Sequence, residues 1–233
     1  MTTELPLLIE PADLADHLAA PDLLIIDLCK DQVYDQAHVP GAIHLDHQRL
    51  LAGTQPAPGL LPDDETLSAL FSELGLTPDT WVVAYDDEGG GWAGRLLWTL
   101  DAIGHKRYSY LNGGIHGWLA EDLSTSTERT EAEPGDYQVG EHDPRTSVDL
   151  DHVLAHYQDP SVVIWDARSE EEFAGVRAFA QKAGHIPGAA HYEWTDAMDK
   201  TNNLRLRDLD EIRRELADRG IQGDKQVITH CQT

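Results

Sequence analysis

Residues 67–88, LSALFSELGLTPDTWVVAYDDE, recur 145 positions later as IRRELADRGIQGDKQVITHCQT, residues 212–233. Each copy reads as an amphipathic helix (within 64–75 and 208–220) stopped by a glycine, Gly75 or Gly220. A short apolar run follows, WVVAY in one and QVITH in the other, of the kind that suits strands buried on both faces. Past the strand the copies diverge chemically: Asp86 stands in the first where Cys231 stands in the second.

Two further blocks repeat in the same order. EPADLADHLAAPDLLIIDL (10–28) matches DLDHVLAHYQDPSVVIWDA (149–167) at an offset of 139, each ending a strand on an aspartate, Asp27 or Asp166. AHVPGAIHLD (37–46) matches GHIPGAAHYE (184–193) at an offset of 147, so the second copy carries eight extra residues around GVRAFAQKA. Three ordered blocks define a duplicated domain. The expected organisation is a first domain over 1–124, a linker over 125–145 that is rich in Ser, Thr, Glu and Pro, and a second domain over 146–233. Strands alternating with helices make each domain α/β, with a mainly parallel sheet flanked by helices. Function in such sheets sits at the C-terminal strand ends, where Cys231 lies.

The first copy continues past its strand into DDEGGGWAGRLLWTL and RYSYLNGGIHGWLAEDL. Equivalence of the copies leads to the expectation that roughly 35–40 further residues follow Thr233 and that the second domain is incomplete at its C-terminus. It also sets Cys231 at the mouth of a strand-to-helix loop. Backbone N–H groups in such a loop, together with a helix N-terminus, stabilise a thiolate and bind an anion without a basic surface. That matters in a chain with 42 acidic and 17 basic residues, a formal charge of −25. Such a charge argues against nucleic acid as a partner. No apolar run approaches a membrane span and no signal peptide is apparent, so a cytoplasmic protein without membrane partners is expected.

These residues resemble the rhodaneses, the two-domain thiosulfate sulfurtransferases. The resemblance rests on the His-(Ile/Val)-Pro-Gly-Ala element in both copies, on YDDEGGGWAGRLLWTLDAIGHKRYSYLNGGIHGW in the first, and on the strand-cysteine ending of the second. It implies a catalytically silent first domain, with Asp86 in place of a cysteine, and a second domain whose Cys231 takes sulfur from thiosulfate and passes it to cyanide or a thiol. The covalent persulfide on Cys231 is then the intermediate, with no cofactor and no metal, and a monomer is expected. Gln232 and Thr233 begin the active-site loop. Mercaptopyruvate sulfurtransferases carry glycine directly after the cysteine, so Gln232 favours thiosulfate. Cysteine phosphatases and arsenate reductases share the fold with a loop one residue longer, and a non-catalytic sulfur-carrier module is the other alternative.

Other residues invite readings of their own. Asp166, Arg168 and Trp194 are candidates for pocket or support. Arg168 is either a cation at the mouth or a partner of Glu170 to Glu172, and Trp194 is expected to fill core rather than wall a pocket. Cys29, the counterpart of Arg168, is expected to be a bystander thiol. GGGWAG (89–94) fits a dinucleotide fingerprint only formally, because Asp86, Asp87 and Glu88 precede it and would repel a pyrophosphate. His38 and His185 lie in the Pro-Gly element, where hydrogen bonding of the turn is a simpler account than a metal.

Overall fold

The computed structural model describes residues 4–54 and 57–231. The chain divides into two compact units. Of the described residues, the first holds those up to Thr54, Pro58–Thr146 and Lys200–Arg205; the second holds Ala57, Ser147–Asp199 and those from Leu206 to Cys231.

The first unit contains β1 (Leu8–Ile9), α1 (Pro11–Ala15), β2 (Leu23–Asp27), α2 (Asp31–Gln36), β3 (Ile43–His44), α3 (Asp64–Glu73), β4 (Trp81–Tyr85), α4 (Gly91–Ala102), β5 (Tyr108–Leu111) and α5 (Gly114–Ala120). Its five strands are ordered β1-β5-β4-β2-β3 and all neighbours run parallel. Alternation along β4 supplies both faces of the core. Val82 and Ala84 join Leu67, Leu70 and Phe71 of α3 and Leu96 and Leu100 of α4. Trp81, Val83 and Tyr85 join Leu14 of α1 and Ile115 and Trp118 of α5. Every residue of β4 is buried, as the apolar run leads one to expect.

The second unit contains α6 (Leu150–His156), β6 (Val162–Asp166), α7 (Glu170–Phe173), β7 (Ala190–His191), β8 (Met198–Asp199), β9 (Arg205–Leu206, which begins on a residue of the first unit), α8 (Leu209–Asp218) and β10 (Gln226–His230). Its parallel sheet is ordered β10-β6-β7, with β10 and β6 in register from Gln226 against Val162 to His230 against Asp166. Strand β10 departs from the doubly buried expectation: Ile228 is its one buried residue and Val227 is exposed. The reason is position. Strand β4 lies between β2 and β5, whereas β10 pairs only with β6 among the described residues.

The stretch between the repeats is no free connector, because it packs along the first unit. Ser126 and His38 exchange backbone hydrogen bonds of 2.9 and 3.0 Å, Tyr137 joins the core cluster of α3 and α4, and the indole of Trp98 donates to the Thr146 carbonyl. No helix among the described residues is long and apolar enough to cross a membrane.

Candidate active site

The repeat equates the end of β4 with the end of β10, and the first unit shows what its strand-to-helix crossing does. Asp86 is 1% exposed, and its carboxylate is ringed by four backbone donors. Oδ1 accepts from the N–H groups of Glu88 (3.0 Å) and Gly90 (2.8 Å). Oδ2 accepts from those of Trp92 (2.9 Å) and Ala93 (3.0 Å), in the first turn of α4. The loop is an anion cradle with its anion built in, and helix α4 points its positive end at the charge. A fixed carboxylate fills the cradle. The Asp86 carbonyl meanwhile approaches α5 so closely that a Cβ on Gly114 would overlap it. Only glycine fits there. GGGWAG thus serves Asp86, and three acidic residues in sequence tell against a second anion at the same loop.

Cys231 follows β10 as Asp86 follows β4, and it is exposed and in no disulfide. Gln232 and Thr233, expected to open the active-site loop, lie outside the described residues. Beneath Cys231 the strand ends carry a charged cluster. Asp166 is fully buried and held by a fork: Arg168 donates from Nε to Oδ1 (2.9 Å) and from Nη2 to Oδ2 (2.5 Å), and the Arg168 backbone N–H adds a third bond to Oδ1 (3.1 Å). Burial pulls the Asp166 carboxyl upward, but the Arg168 bonds outweigh it and hold the group below the usual carboxylate range. Hydrogen bonding to Asp166 in turn raises the Arg168 guanidinium. Arg168 also lies within electrostatic reach of Cys231 and donates to the Gly184 carbonyl at 3.0 Å. Its carboxylate partner is Asp166. The alternative bridge to Glu170 to Glu172 does not form, because both arms of the guanidinium fork are taken by Asp166 and the Gly184 carbonyl.

Sequence reasoning missed the histidines of this cluster. His230 sets Nε2 3.5 Å from Asp166, and burial depresses its pKa. His191 places Nδ1 3.1 Å from Glu170 and Nε2 2.8 Å from the Arg168 carbonyl. The signal was available in the repeat, since His191 matches His44, whose ring lies between Asp27 (3.6 Å) and Asp31 (3.5 Å). Trp194 is not core. It opens a 3₁₀ turn just past the edge strand β7 and is 39% exposed. Its counterpart in the first unit, His47, is likewise outside the core and stacks on Trp92 at 3.7 Å beside the Asp86 cradle.

Cys29 is buried, with its backbone N–H donating to Asp27 Oδ1 at 2.7 Å. Burial first, then the Asp27 charge, pushes its thiol far upward, which leaves it inert. The Pro-Gly histidines bond helix ends rather than their own turn: the ring Nδ1 of His38 lies 2.7 Å from the Tyr34 carbonyl, and that of His185 lies 2.8 Å from the Phe173 carbonyl. Each ring also stacks on the same aromatic residue, at 3.8 and 3.7 Å. No group of three or more His, Cys, Asp or Glu residues among the described ones is arranged to hold a metal ion.

Two α/β repeats of this topology, one with a carboxylate filling its cradle and the other with a cysteine at the matching strand end, define the rhodanese architecture. The rhodanese-like domain family matches residues 10–121 and 149–233, and the chain belongs to that family. It is 48% identical to a thiosulfate sulfurtransferase of Azotobacter vinelandii, over 98% of this chain and 83% of the relative. It is 46% identical to a thiosulfate sulfurtransferase of Pseudomonas aeruginosa, over 99% and 84%. The solved 3-mercaptopyruvate sulfurtransferase of Escherichia coli superposes with a TM-score of 0.85 at 29% identity, covering 97% of this chain and 88% of that one. Likeness to sulfurtransferases over nearly the whole chain favours sulfur transfer over the phosphatase, arsenate reductase and non-catalytic readings.

Proposed function

We propose that this chain moves a sulfane sulfur from thiosulfate to a thiophilic acceptor, with Cys231 as the nucleophile. The observation that carries the reading is the equivalence of Cys231 with Asp86, whose four N–H partners reveal the loop as an anion cradle. The Cys231 thiolate attacks the outer sulfur of thiosulfate. A sulfur–sulfur bond forms to Sγ, the donor's own sulfur–sulfur bond breaks, and its electron pair leaves with sulfite. Cyanide or a thiolate then attacks the outer sulfur of the persulfide, and the electron pair of the broken bond returns to Cys231. No oxidant is consumed in either half. Asp166 and Arg168 hold the strand ends together beneath the sulfur. Trp194 walls the entrance. No cofactor is required, because the persulfide itself carries the sulfur.

The test is sulfite release from thiosulfate and cyanide by the parent and by Cys231→Ser. Loss of at least about 10³-fold is expected for removal of a covalent nucleophile, and full activity in the variant would sink the mechanism. Mass spectrometry after thiosulfate treatment should find one added sulfur on the peptide that contains Cys231.

A further inference from the structure

The eight extra residues of the second repeat are absent from the silent unit. Tyr34 and His38 are four positions apart, whereas their counterparts Phe173 and His185 are twelve apart. The additional chain forms a loop with a closed neck. A Cβ built on Gly175 would meet the Gly184 backbone nitrogen at 3.1 Å, so the two ends touch, and both glycines have positive φ. The neck is tied on both sides. The N–H groups of Val176 and Arg177 donate to the Glu171 carbonyl at 2.9 and 3.0 Å, and the Arg168 guanidinium donates to the Gly184 carbonyl. Arg168 thereby fixes the loop to the strand ends beneath Cys231. Compact loops with joined ends are often functional.

What the loop displays is unusual for this molecule. All residues from 176 to 183 are exposed, Val176 at 81% and Phe179 at 54%. Arg177 lies over the Phe179 ring, 4.5 Å from its centroid. No acidic residue occurs between Glu172 and Glu193, and neither Arg177 nor Lys182 meets a carboxylate among the described residues. Most other cations of this chain are paired with acidic groups. In a protein of charge −25, two cations on one loop with two exposed apolar side chains form a local patch of opposite sign. A small anion would use the cations but gain nothing from Val176 and Phe179. An apolar contact ringed by carboxylates would use both.

We propose that the loop 175–184 is the docking surface for the acidic face of a protein that carries the sulfur-accepting thiol. The proposal rests on sulfur transfer at Cys231 and names the class of its acceptor. In that step the acceptor thiol loses its proton and its sulfur attacks the outer sulfur of the persulfide. The bond to Cys231 Sγ breaks, Cys231 keeps the electron pair, and the acceptor leaves as a persulfide.

The probes are three fluorescein-labelled peptides with a central cysteine flanked by leucines and by glutamates, glutamines or lysines, each also made with serine for cysteine. Anisotropy with the serine forms reads binding independently of turnover. The glutamate peptide is expected to bind about tenfold more tightly than the glutamine peptide at low salt, through two exposed ion pairs. That preference should shrink on adding salt, as screening requires. The double variant R177E/K182E should abolish the preference, and V176S/F179S should weaken the glutamate and glutamine peptides alike. Sulfite release from thiosulfate and cyanide should stay within about twofold of parent in all of these, since loop and small-molecule chemistry are separate. Equal binding of glutamate and glutamine peptides, or a preference that survives R177E/K182E, overturns the proposal. A fall in thiosulfate turnover in R177E/K182E without any peptide preference also overturns it, and assigns the cations to the small donor. If the parent prefers the acidic peptide yet releases no sulfite, the docking surface stands and the sulfur-transfer reading falls.

Discussion

Replacing Asp86 by asparagine should destabilise the first unit severely, although the change removes one charge and almost no volume. The carboxylate accepts four backbone N–H bonds, two at each oxygen, while being 1% exposed. An asparagine retains one acceptor oxygen for two of them and turns an amide N–H toward the other two. Either flip leaves two buried donors facing a donor, Trp92 and Ala93 or Glu88 and Gly90. A buried donor left unsatisfied costs about 1–3 kcal/mol, and the surviving bonds lose their charge assistance. Non-additivity trims the sum, so a loss of about 3–5 kcal/mol is expected. With a urea dependence of about 2 kcal/mol per molar, the unfolding midpoint of the unit should fall by roughly 2 M. Asp87→Asn is the control. Its carboxylate meets the exposed Lys30 ammonium at 3.6 Å and the Lys30 N–H at 3.3 Å, and an amide oxygen can still accept that N–H, so the change should cost at most about 1 kcal/mol. Amide exchange at Gly90, Trp92 and Ala93 should accelerate in the Asp86 variant alone. A midpoint within about 0.3 M of parent, or an equal loss in Asp87→Asn, would refute the idea that the loop is organised around the Asp86 charge.

Arg168→Ala should leave Asp166 buried without its fork and cost the second unit about 3–5 kcal/mol, read as a lowered unfolding midpoint; Arg168→Lys should recover only part, because an ammonium cannot bridge both oxygens. Iodoacetamide should label Cys231 in the folded protein and leave Cys29 unmodified until denaturant is added, which peptide mass spectrometry reports. His105 is buried with Nε2 3.0 Å from the Thr80 carbonyl, and burial lowers its pKa below the ordinary 6.5. The unfolded chain therefore takes up a proton before the folded ring does. The stabilisation is full above about pH 6.5 and is lost as pH falls toward the folded value, with a slope of at most about 1.4 kcal/mol per pH unit. Comparing urea midpoints of parent and His105→Gln between pH 7.5 and 5 isolates this: the parent should lose more stability than the variant, and parallel curves would remove His105 as the cause.

The duplication, the α/β class, the strand runs LLIID, WVVAY and VVIWD and the glycine stops at Gly75 and Gly220 were all legible in the amino-acid order. They are local matters of periodicity and turn chemistry, and the repeat transferred each reading from one copy to the other. The same comparison set Cys231 against Asp86. What only the tertiary structure decided was which groups meet. Arg168 closes on Asp166 and not on the glutamates beside it. Trp194 stands at the surface, and Tyr137 leaves a stretch that reads as a linker to join the core of the first unit. The strand QVITH, alike in sequence to WVVAY, buries Ile228 alone because burial depends on the neighbours a strand finds, not on its own composition. The role of Asp86 was the least legible of all. An aspartate after a strand is an ordinary loop residue until four N–H groups from two turns of backbone are found converging on it, and that convergence is a property of distance in space.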